Sequence, residues 1–428
     1  MNVTKTTSLI LCLFALACGD DDLPARPGAD GGPRDSGVDA GPTDGGPVPD
    51  GSIDAGVDGG GGEILCAAGE RVLLGTDEIA RAQDPVLAAG ATSTLVAWRA
   101  KDGAFTNAFA RTLGSAGAGD LVPLTDDFAV QDALTAAATA SGFVVAWYDN
   151  AAGSGFEILT RPLDATGAPT ADAQVVTDGA DVANVNPSLA AGADGPILLF
   201  VEDDTEGGRL VRAAPLAADG TLAGTAESVL GSLYDPVRPR LFARPASFPF
   251  LLSTDVTPEG MTSERALWLQ ALSETSGPDG ETLRVDLDGN VAATAAAAAT
   301  PSDQVGIAFD VRVAGVRNEV HYRPVLPGTD EPTGLERVLS DSMARDPGIA
   351  SIGGGFAVAY RLLEPSPTIE VALVTVGGDV VGRLDLGAST AEGGAVGIVA
   401  TPAGALWVAW AEMGADTTEI YAARVACE

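Results

Sequence analysis

A short, strongly β-forming segment recurs seven times along the chain at intervals of about 50 residues. It reads LVAW (95–98), FVVAW (143–147), PILLF (196–200), FPFLL (248–252), VGIAF (305–309), FAVAY (356–360) and LWVAW (406–410). Runs of Val, Ile, Leu and aromatics this short, with Gly, Asp or Pro clusters close by, read as buried strands. The surroundings recur as well. About ten residues earlier lies a weaker strand opening on Asp, Asn or Arg, as in DPVLAAG at 84, DALTAAA at 132, NPSLAAG at 186, RPRLFA at 238 and DPGIAS at 346. A third strand follows each copy (EILTRPL at 157, VHYRPVL at 320, EVALVTV at 370), and then a fourth (VVTD at 175, SVLG at 228, RVLSD at 337).

Four antiparallel strands per copy of about 50 residues make the blade of a β-propeller. The expected fold is therefore all-β: a seven-bladed β-propeller over residues 63–428. The seventh copy has three strands and then the chain stops, while ERVLLGTD at 70 matches the fourth-strand segment ERVLSD at 336. The N-terminal strand is thus expected to complete the last blade and remove the unpaired edges that invite aggregation. Cysteine placement agrees: Cys66 and Cys427 flank the two strands that must meet, and they are expected to form a disulfide. VAATAAAAAT at 291 has a helical intrinsic preference, but its place in the repeat assigns it to the innermost strand of the fifth blade, with a short helix as the alternative.

The N-terminus has a different character. Residues 1–17 carry one positive charge, Lys5, and the nine-residue apolar run 9–17, too short to span a bilayer, so they read as a signal peptide. The segment FALAC (14–18) resembles the lipobox of bacterial lipoproteins, which implies that Cys18 becomes the acylated N-terminus and anchors the chain to a membrane through acyl chains alone. Ala15-Leu16-Ala17 also fits ordinary signal cleavage, which would leave a secreted or periplasmic protein. Residues 18–62 are dominated by Gly, Asp and Pro, have too few large apolar side chains to order, and read as a disordered tether. Such a tether resembles those of predicted myxobacterial lipoproteins. The expected location is the cell envelope, lipid-anchored and extracytoplasmic.

Charge and composition exclude several functions. The net charge is −35, from 59 acidic against 24 basic residues, so charge-driven binding to nucleic acid or anionic lipid is disfavoured. His321 is the only histidine, which excludes multi-His metal centres. DLDGN at 286 begins like a calcium loop but has Val291 where Gly is required and Ala297 where a bidentate Glu is required. The aspartate box of sialidases, Ser-x-Asp-x-Gly-x-x-Trp, is missing, as are phosphate-loop and nucleophile-elbow motifs. No catalytic residue, metal or cofactor is assigned.

The residues opening the inner strands, Asp84, Asp132, Asn186, Arg238 and Asp346, are expected to form a polar ring at the channel mouth able to bind a ligand. Turn chemistry at Asx-Pro is the alternative account of the same residues. Asp77, Asp126, Asp178 and Asp341, each after Thr or Ser, carry the same ambiguity. Trp98, Trp147 and Trp410 share one repeat position and are expected to pack between blades. The expected function is a monomeric binding module for a glycan or an envelope protein. A carbohydrate-active hydrolase or lyase using acidic residues, and a purely structural envelope protein, are the alternatives.

Overall fold

The alternation of large apolar residues in each second strand serves two neighbours at once. Val96 and Trp98 project into a core shared with Trp407, Ala409 and Ala411, while Leu95 and Ala97 project into one shared with Phe143, Val145 and Trp147. Successive strand residues point to opposite faces, so a sheet standing between two others is apolar on both. That is why these segments read as continuous hydrophobic runs.

The computed structural model describes residues 66–427 except 76–79, 103–104, 116, 126–131, 151–154, 178–181, 193, 204–208, 231–237, 245–249, 257–265, 274–275, 286–290, 314–316, 326–335, 341, 391–393 and 414–416. The expected signal peptide, Cys18, the expected tether, Asp77, Asp126, Asp178, Asp341 and the DLDGN segment therefore lie outside the described residues.

The strands form seven antiparallel sheets. We number these blades from the one that begins at Ala80–Ala89 (blade 1) to the one whose inner strand is Gly397–Ala400 (blade 7). The inner strands of blades 2 to 6 are Asp132–Ala138, Ala183–Ala191, Arg238–Phe242, Val291–Ala299 and Ala344–Ile352. Each inner strand touches the inner strands of the two blades beside it, and blade 7 touches blade 1, which closes the ring. The Ala-rich segment is a strand, not a helix: five consecutive alanines, Ala295 to Ala299, pair with Phe309 to Val305. Tertiary pairing overrides intrinsic propensity here. Gly306 opposite them admits no side chain, because a Cβ would stand 2.9 to 3.0 Å from the rings of Tyr322 and Phe356.

Blade 7 is assembled from both ends of the described chain. Cys66–Leu73 pairs with Thr418–Cys427, which pairs with Leu406–Met413 and so to Gly397–Ala400. Cys66 and Cys427 sit opposite each other in this ladder and are joined by a disulfide across 361 residues of chain. Arg71 of the closing strand lies over the Tyr421 ring, 3.4 Å from its centroid, and its Nη2 donates to Glu412 Oε2 at 2.5 Å. Trp98, Trp147 and Trp410 are fully buried in inter-blade cores. Trp407 is buried in the same way between blades 7 and 1. No described helix is long and apolar enough to cross a membrane.

Candidate functional site

The Asx-Pro segments do not open the inner strands, contrary to the sequence expectation. They lie within them, at a recurrent break in register: between Gln83 and Val86, Val185 and Ser188, and Arg345 and Gly348. At each break the backbone turns left-handed, with φ of 50° at Asp84, 53° at Asn186 and 57° at Asp346. Non-glycine residues rarely adopt this conformation, Asn and Asp being the most tolerant, which accounts for the residue types. Each is followed by Pro, whose ring restricts the preceding residue further. In blade 2 the left-handed residue is Ala133, φ 48°, not Asp132, because the register break runs from Asp132 to Thr135. Asp132 is the last paired residue before the break, opposite Tyr148. Arg238 pairs with Thr254 in an unbroken ladder. The side chains of Asp132 and Arg238 lie outside the described residues.

These kinks converge at one end of the ring around a cavity of about 340 Å³. Asp84, Arg99, Asn186, Arg240, Thr294 and Asp346 line it. Three of the five residues expected from sequence, Asp84, Asn186 and Asp346, are thus brought together, and the backbones adjoining Asp132 and Arg238 reach the same cavity through Ala133 and Pro239.

The polar groups are cross-linked. Arg99 donates to Asp84 Oδ2 from Nη2 at 2.7 Å and from Nε at 3.1 Å. Arg345 Nε lies 3.2 Å from Asp346 Oδ2. Thr294 bridges two carboxyls: its amide donates to Asp310 Oδ1 at 2.8 Å and its hydroxyl to Asp346 Oδ1 at 3.4 Å. Asp310 is only 2% exposed; burial, reinforced by the negative charge of Asp346, pushes its carboxyl up to about 6 against the hydrogen bonds that Thr294 supplies. Burial likewise raises Asp346, opposed by the nearby Arg345 and Arg361 and assisted by Asp84. Arg361 is wholly buried beneath the mouth and donates to the carbonyls of Thr390 at 2.7 Å and Ala411 at 3.0 Å, tying blade 6 to blade 7. Gly394, φ 69°, stands against Asp84, where a Cβ would fall 2.3 Å from Oδ1.

Just inside the mouth, hydroxyls stitch adjacent inner strands together. Thr135 Oγ1 accepts from the Leu189 amide at 3.0 Å and Ser188 Oγ from the Leu241 amide at 2.9 Å. Arg99, Asp310 and Arg361 are not evident from the Asx-Pro pattern, but each directly follows the recurrent aromatic of its second strand: Trp98, Phe309 and Tyr360. His321 is buried elsewhere, in the third strand of blade 5, between Glu319 and Glu336. Among the described residues no group of three or more His, Cys, Asp or Glu is placed to hold a metal ion.

No protein-family model matches the sequence, and no curated protein does. Among solved structures, a protein of unknown function from Dyadobacter fermentans is similar with a TM-score of 0.52 at 11% identity, over 85% of this chain and 99% of that one. The likeness is one of fold. Trypanosoma rangeli sialidase aligns with a TM-score of 0.47 at 9% identity, over 84% of this chain and 59% of the enzyme. An N10 neuraminidase-like protein of a little yellow-shouldered bat influenza virus aligns at 0.43 and 11% identity, over 85% of this chain and 100% of that one.

Proposed function

We propose that the chain is a lipid-anchored, extracytoplasmic binding module that takes a hydroxyl-rich ligand, of the saccharide class, at the propeller mouth. The observation that carries this reading is the convergence of Asp84, Arg99, Asn186, Thr294 and Asp346 on one cavity of about 340 Å³, with Asp84 and Asp346 each beside an arginine. Such a surface offers donors and acceptors side by side with little net field, which suits hydroxyls that both donate and accept. The left-handed kinks hold these groups at an energetic cost of order 1 to 3 kcal/mol each, and backbone strain of this kind clusters at ligand sites. Cys18, acylated, would hold the module at the membrane, with the glycan or an envelope protein as its partner.

The test is a glycan and envelope-protein array probed with the mature chain. Selective glycan binding that falls at least tenfold in Asp84→Ala and Asp346→Ala is expected, and an array without a single bound glycan would refute the reading. Mass spectrometry of the mature N-terminus tests the anchor, which an unmodified Cys18 would exclude.

A hydrolase reading draws on Asp310 and Asp346, two carboxyls bridged by Thr294, one held up to about 6 as a general acid requires. Asp310 is 2% exposed, and it does not line the cavity. Binding is therefore preferred to turnover. Release of new reducing ends from a bound glycan, abolished by Asp346→Ala, would reverse that preference.

A further inference from the structure

The mouth continues into a second cavity, of about 430 Å³, that runs down the axis of the ring. Thr135, Ser188, Arg240 and Thr294 line both. The axial cavity extends along every inner strand to a far end framed by Ala89, Ala138, Ala191, Ala243, Ala299 and Ala400, with Ser351 completing the circle. On the strand of Asn186, five residues separate the mouth from Ala191, a depth on the order of 17 Å at about 3.3 Å per residue.

Two features fix the chemistry of this shaft. Each inner strand ends its sheet, so it pairs on one side only and turns its other edge towards the axis. A strand edge presents a row of amide and carbonyl groups, of which the Leu189 and Leu241 amides already donate to Thr135 and Ser188 of the neighbouring strands. An occupant without hydrogen-bonding groups would leave the others unsatisfied, at roughly 1 to 3 kcal/mol each. Charge, by contrast, is scarce: among the described residues lining the shaft only Arg240, at the mouth end, is charged, the rest being alanines, larger apolar residues such as Leu189, Leu241 and Phe242, and the hydroxyl-bearing Thr135, Ser188, Thr294 and Ser351. An ionised ligand group sent down it past Arg240 would be desolvated without a counter-ion among the described lining residues.

We infer that the shaft is a second subsite, which admits the terminal units of a linear, uncharged saccharide chain while the mouth holds the units that follow. This rests on the saccharide reading of the mouth and adds two properties to it: discrimination against acidic sugars, and engagement of a free chain end. Hydroxyls supply a donor and an acceptor at each contact, and the small far-end residues leave the passage open.

Ala243 is exposed at the far end of the shaft and Ala191 is half-buried there, so both can be enlarged with little disturbance of the inter-blade cores. The experiment compares the full-length protein with Ala243→Leu, Ala191→Leu and Ala243→Ser on an array of linear glycans tethered through their reducing ends, neutral and uronate-containing chains side by side. Circular dichroism melts of each variant accompany the array, and Ala243→Ser keeps the shaft open as the conservative control. Neutral chains should bind at least tenfold better than uronate chains, and their binding should fall at least tenfold in the two Leu variants but not in Ala243→Ser. Glycan binding that is equal in wild type and both Leu variants would overturn the shaft subsite and leave the mouth reading standing. Preference for the uronate chains would overturn the charge argument. A wild-type protein that binds no glycan would remove both readings together.

Discussion

The seam of the ring and the side of the mouth formed by blades 5 and 6 use polar side chains to opposite ends. At the seam, Arg71 lies on Tyr421 and pairs with Glu412, and the Cys66–Cys427 bridge joins the two strands beside it. Every one of these contacts stabilises. At the mouth and just beneath it, Asp346 and the buried Asp310 are neighbours held at raised pKa, so their ionisation opposes the fold. Groups retained against stability belong to functional sites more often than groups that merely hold strands together.

Breaking the seam should give the largest effect. Closing a loop of 361 residues is worth about 5 to 6 kcal/mol in the chain-entropy account of disulfides, against a usual range of about 2 to 5. Cys66→Ser with Cys427→Ser should lower the unfolding midpoint in urea accordingly, and limited proteolysis should then clip residues near the closing strand first. An unchanged midpoint would mean that the strand pairing suffices alone.

At the mouth the predicted sign is reversed. The Asp310 carboxyl titrates near 3.8 when unfolded and at about 6 in the fold, so the folded state binds more protons between those values. Its contribution is fully present below about pH 4 and is lost as pH rises through about 6, a change of roughly 3 kcal/mol. Asp346 acts in the same direction. Asp310→Asn keeps an acceptor for the Thr294 amide and removes the titration. Its melting temperature should therefore vary less over this interval than that of the wild type and exceed it at pH 7.5. A variant with unaltered pH dependence would show that Asp310 is not the group responsible. The smallest effect belongs to the seam again: Arg71→Ala should cost about 1 kcal/mol by equilibrium unfolding, the scale of a partly exposed cation–π contact with an ion pair.

The scaffold was readable because packing repeats itself. An aromatic wedged between blades recurs at Trp98, Trp147, Phe309, Tyr360 and Trp410, and the closing strand repeats the letters of another blade's fourth strand, Glu70 to Leu73 against Glu336 to Leu339. The mouth was readable only where chemistry leaves a local mark. Asp84, Asn186 and Asp346 stand out as Asx before Pro because few other residues tolerate that kink. Asp132 drew attention for its type, yet the register break places Ala133 at the kink, a one-residue offset that only strand pairing determines. Thr294 lines the mouth while Asp310 and Arg361 lie beneath it, linked to it through the hydrogen bonds of Thr294 and the charge of Asp346, and no short motif encodes such a meeting.

The side-by-side pairing of Cys66–Leu73 with Thr418–Cys427 has one more consequence. Because the two strands already touch, a brief linker between them would allow the backbone to be reopened at an exposed hairpin such as Gly353–Gly354, giving a circular permutant with unchanged blades. The start point of this toroid is therefore a convention of its gene and not a requirement of its architecture.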